Sequence, residues 1–239
     1  MKIQTYSMIL AGLMLLAGCA VGPPSAGVGA AVVPTFLPPR IAAQNFIAVL
    51  DAVEPVAEAV CRKANPLINC DFQLAIDRRR GLPPNAFQTV DDQGRPIIAF
   101  TLSLIAGAQN RDELAFIMGH EAGHHIAGHL ARQQESALQG AVRAGVLATL
   151  SGASARAIDR AAQMGAGLAA RRYSKTFELE ADVIGTQIAL LAGFDPVLGA
   201  AFFDRLPDPG DRFLGTHPAN ADRKAIVARE AARLQGNAR

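Results

Sequence analysis

The 239-residue chain has no tryptophan, two tyrosines and three cysteines, and only 18% of its residues are charged. Without tryptophan, a core has to be assembled from Ala, Leu, Ile, Val and the 11 phenylalanines. The formal net charge is only +2, which removes the basic footprint that a nucleic-acid binder needs, so no nucleic acid is expected as a partner. Long apolar runs are also scarce. The run at residues 8–17 is too short for a comfortable bilayer-spanning helix. In the Ala- and Gly-rich segment 139–170 the longest uncharged stretch lies between Arg143 and Arg156, which is again too short. That segment reads as one or two helices packed through small residues, and its apolar part has the composition to touch a membrane or cover a site. No internal repeat is visible. The five histidines are few but clustered: four lie between His120 and His129, and the fifth is His217.

The first residues read as an export signal. Lys2 supplies a short positive region, residues 8–17 an apolar one, and Leu16-Ala17-Gly18-Cys19 follows. Small residues before a cysteine match the signal of bacterial lipoproteins, in which that cysteine is acylated. The expected organisation is a signal peptide at 1–18, a lipidated Cys19 with a flexible Pro/Gly-rich linker at 19–40, and one domain at 41–239. Ala20 after Cys19, with no acidic residue there, favours an outer membrane. Cys61 and Cys70 remain, and in an oxidising compartment such a pair can bridge.

Along the domain, residues 41–64 read as a helix interrupted or bent near Pro55. Residues 71–77 alternate as a strand, and two short strands at 85–90 and 96–102 flank Asp91-Asp92-Gln93-Gly94, a hairpin signal. Asn110 with Glu113 three residues on marks a helix start, and that helix is expected to run from about Arg111 past His129. Further helices are expected at 176–191, ending near Gly193, and at 196–206, and Pro218 opens a last one. The fold class is α+β, mainly helical.

The central signal is His120-Glu121-Ala122-Gly123-His124. On a helix, residues four apart leave the same face with Cβ atoms about 5–6 Å apart, so both imidazoles can reach one ion. Glu121 is rotated about 100° from His120. It therefore lies beside the ion, where it can take a proton from water. On a continuous helix His125 and His129 leave the ligand face and are expected in packing or hydrogen bonds to the ligands. The metzincin pattern is excluded, because Ala127 and Leu130 stand where it requires Gly and His. A carboxylate from a later helix is the alternative third ligand. Glu178 and Asp182 share a helical face, so Glu178 can bind metal while Asp182 accepts a hydrogen bond from a ligand histidine. Glu180 is rotated about 200° from Glu178 and is expected to point elsewhere.

Taken together, the chain resembles the HtpX-like and CAAX-endoprotease-like zinc metallopeptidases, a gluzincin family. The likeness runs from Asp71 to Leu234. It rests on Asn85-Ala86-Phe87, Glu113-Leu114, the 120–124 motif with His129 beyond, Ser174, residues 178–182, and His217-Pro218 with Arg223. Lys175 departs from the arginine many relatives carry there. The resemblance implies a zincin-like fold with a small β-sheet over the active-site helix. It also implies one zinc ion on His120, His124 and Glu178, Glu121 as catalytic base, and Asp182 and Arg223 supporting the ligands. His217 has two readings: a catalytic or gating residue in the cleft, or a cap on the last helix. The implied activity is an envelope metalloendopeptidase, anchored to the membrane through Cys19 and acting on unfolded or misassembled envelope proteins. The alternative is an assembly factor that uses the same fold as scaffold. Substrate is expected along an edge strand, with residues 96–102 the candidate.

Overall fold

The computed structural model describes residues 36–208 and 218–236, apart from the side chains of residues 171–174. Helix α1 (Pro39–Ala64) opens with proline in its first turn, where a missing N–H costs nothing. Its buried residues Ala42, Phe46, Val49, Val53, Ala57 and Cys61 recur every three or four positions and form one apolar face. Pro55 lies within the helix without interrupting it. It sits on the exposed side, as does Asp51, whose carbonyl loses a partner but remains close to water. Cys61 and Cys70 are bridged, tying the last turn of α1 to the segment that enters the sheet.

The sheet contains β1 (Gln73–Asp77), β2 (Ala86–Val90) and β3 (Pro96–Thr101) in the order β1-β3-β2. β2 and β3 form the expected antiparallel hairpin, with Gly94 at φ +77° in its turn. β1 pairs with β3 in parallel. β3 therefore has a neighbour on each side and is not an edge; the edges are β1 and β2. The apolar Ile-Ile-Ala-Phe run of β3 fits this central place, since five of its six residues are buried. Thr101 then ends the strand and starts α2 (Leu102–Gly107), its hydroxyl accepting from the Leu104 N–H. The strand thus stops one residue short of the expected Leu102, which instead opens an unexpected helix.

Asn110 caps α3 (Arg111–Ile126) by accepting from the Glu113 N–H at 2.9 Å. The buried Glu113 accepts from the Gln109 N–H and receives a two-pronged ion pair from Arg205 at 2.6 and 2.8 Å. The helix does not run past His129. It stops at Ile126, Gly128 takes a left-handed φ of +66°, and a new helix, α4 (His129–Leu150), begins. α4 and the first part of α5 (Ala155–Leu191) form a helical hairpin around Gly152, φ +73°. The helix expected at 176–191 is thus the end of a 37-residue one. α6 (Pro196–Gly199), a 3-10 turn at Ala200–Arg205 and α7 (Asn220–Gly236) complete the described chain.

The core lies where α1, β3, α3 and the end of α5 meet: Phe46, Val53, Ile98, Phe100, Leu114, Met118 and Ile188 are all buried in one cluster. Each such side chain contributes about 1.5–3 kcal/mol by leaving water. A smaller cluster of Phe116, Ala200, Phe203 and Val227 fastens α7 to α3. No described helix is long and apolar enough to cross a membrane.

Candidate metal centre

α3 and α5 approach closely because both present small residues at the contact. A Cβ on Gly185 would lie 2.7 Å from the His120 backbone nitrogen, and one on Gly119 would lie 2.9 Å from the Gly185 carbonyl. A Cβ on Gly123 would meet the Ala181 carbonyl at 3.0 Å. This four-residue register sets Glu178, one turn before Ala181, opposite the two imidazoles of α3.

His120 Nε2 and His124 Nε2 are 3.0 Å apart. Glu178 Oε2 is 3.6 Å from the first and Glu178 Oε1 is 3.5 Å from the second. One donor atom from each residue falls within 4.8 Å of the others. Donors at about 2.0–2.1 Å from a tetrahedral zinc stand about 3.3 Å from one another. The observed spacings bracket that value, so the set fits one such ion.

Asp182 and Arg223 form the wall behind His120. Asp182 Oδ1 lies 2.8 Å from His120 Nδ1, which fixes the proton on Nδ1 and leaves the Nε2 lone pair facing Glu178. Asp182 is completely buried, and Arg223 donates to both of its oxygens at 2.6 and 2.8 Å. The guanidinium lies 4.1 Å from the Phe203 ring centre, and its Nη1 is 3.4 Å from Glu178 Oε2. Burial alone would raise the Asp182 pKa, but the bonds from Arg223 and His120 hold it below the usual carboxylate range. Burial pulls the His120 pKa down, yet the hydrogen bond and charge of Asp182 outweigh it and the net shift is upward. His124 has no adjacent carboxylate of that kind. Burial, then the charge of His120, push its pKa down to about 3, so it is held neutral, the form a metal requires.

Glu121 faces a cleft of about 580 Å³ lined by Gln88, Phe116, Leu130, Phe177 and Phe203 among others. Its pKa is raised by burial and by the negative charge of Glu178, against the pull of His120. Gln88, on edge strand β2, lines the same cleft, and its backbone draws that pKa back down. β2, not β3, is therefore the sheet edge that borders the site.

The other histidines are spread out. His125 Nε2 meets the Asn69 carbonyl at 2.7 Å and its ring packs edge-on against Phe72. His129 reaches His124, with the two Nδ1 atoms 2.9 Å apart, and Glu180 lies 3.0 Å from its other nitrogen. Glu180 stays outside the donor cluster and also pairs with Arg132 at 2.8 Å. His217 and Cys19 lie outside the described residues. Sequence reasoning missed the Gly119/Gly185 contact, the contribution of Gln88 and the turn at Gly128. The glycines were visible in the sequence, but nothing in their spacing said which helices they would join.

Residues 45–230 match Peptidase family M48. Over 136 residues, 55% of the chain, the sequence is 30% identical to the mitochondrial metalloendopeptidase OMA1 of Arabidopsis thaliana. The chain spans only 27% of that relative's length. The family match contains the whole donor cluster with Glu121, Asp182 and Arg223, and the chain belongs to peptidase family M48, the zinc metallopeptidases.

Proposed function

We propose that the chain is a zinc-dependent endopeptidase of the bacterial cell envelope, tethered by a lipid on Cys19 and hydrolysing unfolded or misassembled envelope proteins. The observation that carries the chemistry is the convergence of His120, His124 and Glu178 on one point beside Glu121. These three residues hold the ion, and Asp182 and Arg223 hold His120. Bound there, zinc supplies Lewis acidity, polarising a carbonyl and making a water easier to deprotonate. Glu121 takes the proton from the attacking water and passes it to the departing amine, and its raised pKa makes it a stronger base for the first of these transfers.

Among the described residues no strand pairs with the outer edge of β2, and that edge offers backbone groups to an extended peptide, as strand-adding sites do. Backbone pairing makes few demands on sequence, which suits clients recognised by being unfolded. Phe116, Phe203 and Leu206 give the cleft an apolar wall for a side chain next to the cut bond. The envelope location and anchor rest on the pattern of residues 2–19. The complete chemical set favours an enzyme over an assembly factor that uses the fold as scaffold.

Glu121→Gln is the direct test. The variant is expected to keep one zinc per chain by metal analysis while losing digestion of casein or unfolded outer-membrane protein by about 10²–10⁴-fold. Full digestion by that variant would remove Glu121 from the reaction.

A further inference from the structure

We infer that Glu180 and His129 form a positioning relay that selects the metal-binding tautomer of His124. The inference rests on the zinc-site reading above and assigns two residues that the donor cluster leaves out.

The hydrogen-bond chemistry runs one way. The Glu180 carboxylate can only accept, and its Oε2 is 3.0 Å from His129 Nε2, so that nitrogen carries the hydrogen. A neutral His129 then has a lone pair on Nδ1. His129 Nδ1 is 2.9 Å from His124 Nδ1, and two imidazole nitrogens at that distance need one donor and one acceptor. His124 Nδ1 is the donor. Its Nε2 is left with a lone pair, aimed at His120 Nε2 and Glu178. A single imidazole thus does for His124, at one remove, what Asp182 does directly for His120.

The relay is built rather than incidental. The His129 ring is buried and stacks on Phe177 with centroids 4.4 Å apart and planes 15° from parallel. Arg132 covers the same ring of Phe177 at 4.4 Å and holds Glu180 Oε2 at 2.8 Å. The interruption of the helix at Gly128 makes this possible, because α3 ends there and His129 comes to lie against His124. Arg132 and Glu180 are 45% and 42% exposed, so the second metal ligand is oriented from the protein surface, whereas the first is oriented from the buried interior.

Two substitutions separate a positioning role from a packing one. His129→Phe keeps a flat ring on Phe177 but cannot accept from His124. His129→Gln restores a carbonyl oxygen that can. Zinc affinity, measured by competition with a chromophoric chelator, is expected to fall about 10–100-fold in His129→Phe and to recover most of that loss in His129→Gln. The melting temperature of the metal-free proteins, a packing readout, is expected to stay close to that of the wild type in both. In metal-free wild type, ¹⁵N chemical shifts should show neutral His124 protonated on Nδ1. Unchanged zinc affinity in His129→Phe, or a His124 protonated on Nε2, overturns the relay. A wild type that binds no zinc overturns the metal reading itself, a separate result.

Discussion

α5 lives in two environments. Its first half, residues 155–170, packs on α4, and none of these residues is buried. Its second half packs on α3 and buries Phe177, Ala181, Asp182, Thr186, Ile188 and Ala189. Both contacts use the same device, paired glycines that let backbones approach: Gly140 with Gly165 in the hairpin, Gly119 with Gly185 in the core. Only the second contact borders the candidate donor cluster. The difference is what stands behind the partner helix. α3 is backed by α1 and β3, so its histidines are fixed from below and Glu178 meets them at a defined distance. Among the described residues α4 has no such backing, and Leu147 and Leu150 remain 66% and 81% exposed. Close helix approach is therefore not sufficient for a site; one of the two helices has to be immobilised by a core.

The largest expected effect removes the one donor that α5 contributes. Glu178→Ala should lose stoichiometric zinc and reduce casein digestion by at least about 10³-fold, consistent with loss of the metal's role in the reaction. Unchanged zinc content would shift the third ligand to another residue.

The next pair tests the comparison itself. Gly185→Ala places a methyl 2.7 Å from the His120 nitrogen, and Gly165→Ala places one against the Gly140 carbonyl. Each overpacks a helix contact, at a cost of about 1–3 kcal/mol. Urea denaturation with chelator competition should show the first variant losing zinc affinity and the second keeping it. Equal loss of zinc affinity would mean that the hairpin supports the site after all.

pH gives a smaller effect. The folded pKa of His124, about 3, lies below its ordinary value of 6.5, so the folded state binds fewer protons than the unfolded state between those limits. Its contribution to the metal-free protein is present above about pH 6.5 and lost as pH falls toward 3. His120, with a raised folded pKa, acts oppositely: its contribution is present below 6.5 and fades as pH rises through the folded value. Chelated wild type and His124→Gln, compared by urea melts at pH 7 and pH 5, should differ in their pH response. The variant should be less acid-sensitive by on the order of 1–2 kcal/mol. The smallest effect is at the hairpin tip, where Leu150→Ser should change stability by less than about 0.5 kcal/mol in the same assay.

Much of the fold was legible because the signals were local. The Asn110 cap, the turn at residues 91–94 and the apolar stripe of α1 each depend on neighbours within a few residues. The same holds for the 120–124 motif, whose two imidazoles share a face by helical geometry alone. Errors arose where a distant segment decided. β3 is central only because β1, an earlier segment of the chain, adds to its far side. His129 could be read as facing away only on an unbroken helix, and Gly128 breaks it.

The sequence by itself determined that one helical turn offers two imidazoles with a carboxylate beside them, since spacing of four on a helix is a matter of backbone geometry. It also marked Glu178 and Asp182 as a pair on one face. Tertiary structure decided which groups meet: that α5 lies close enough for Glu178 to complete the cluster, that Arg223 from α7 braces Asp182, and that β2 borders the cleft. Those outcomes depend on glycines matched across helices more than sixty residues apart, a complementarity that arises only once the core has brought the two backbones together.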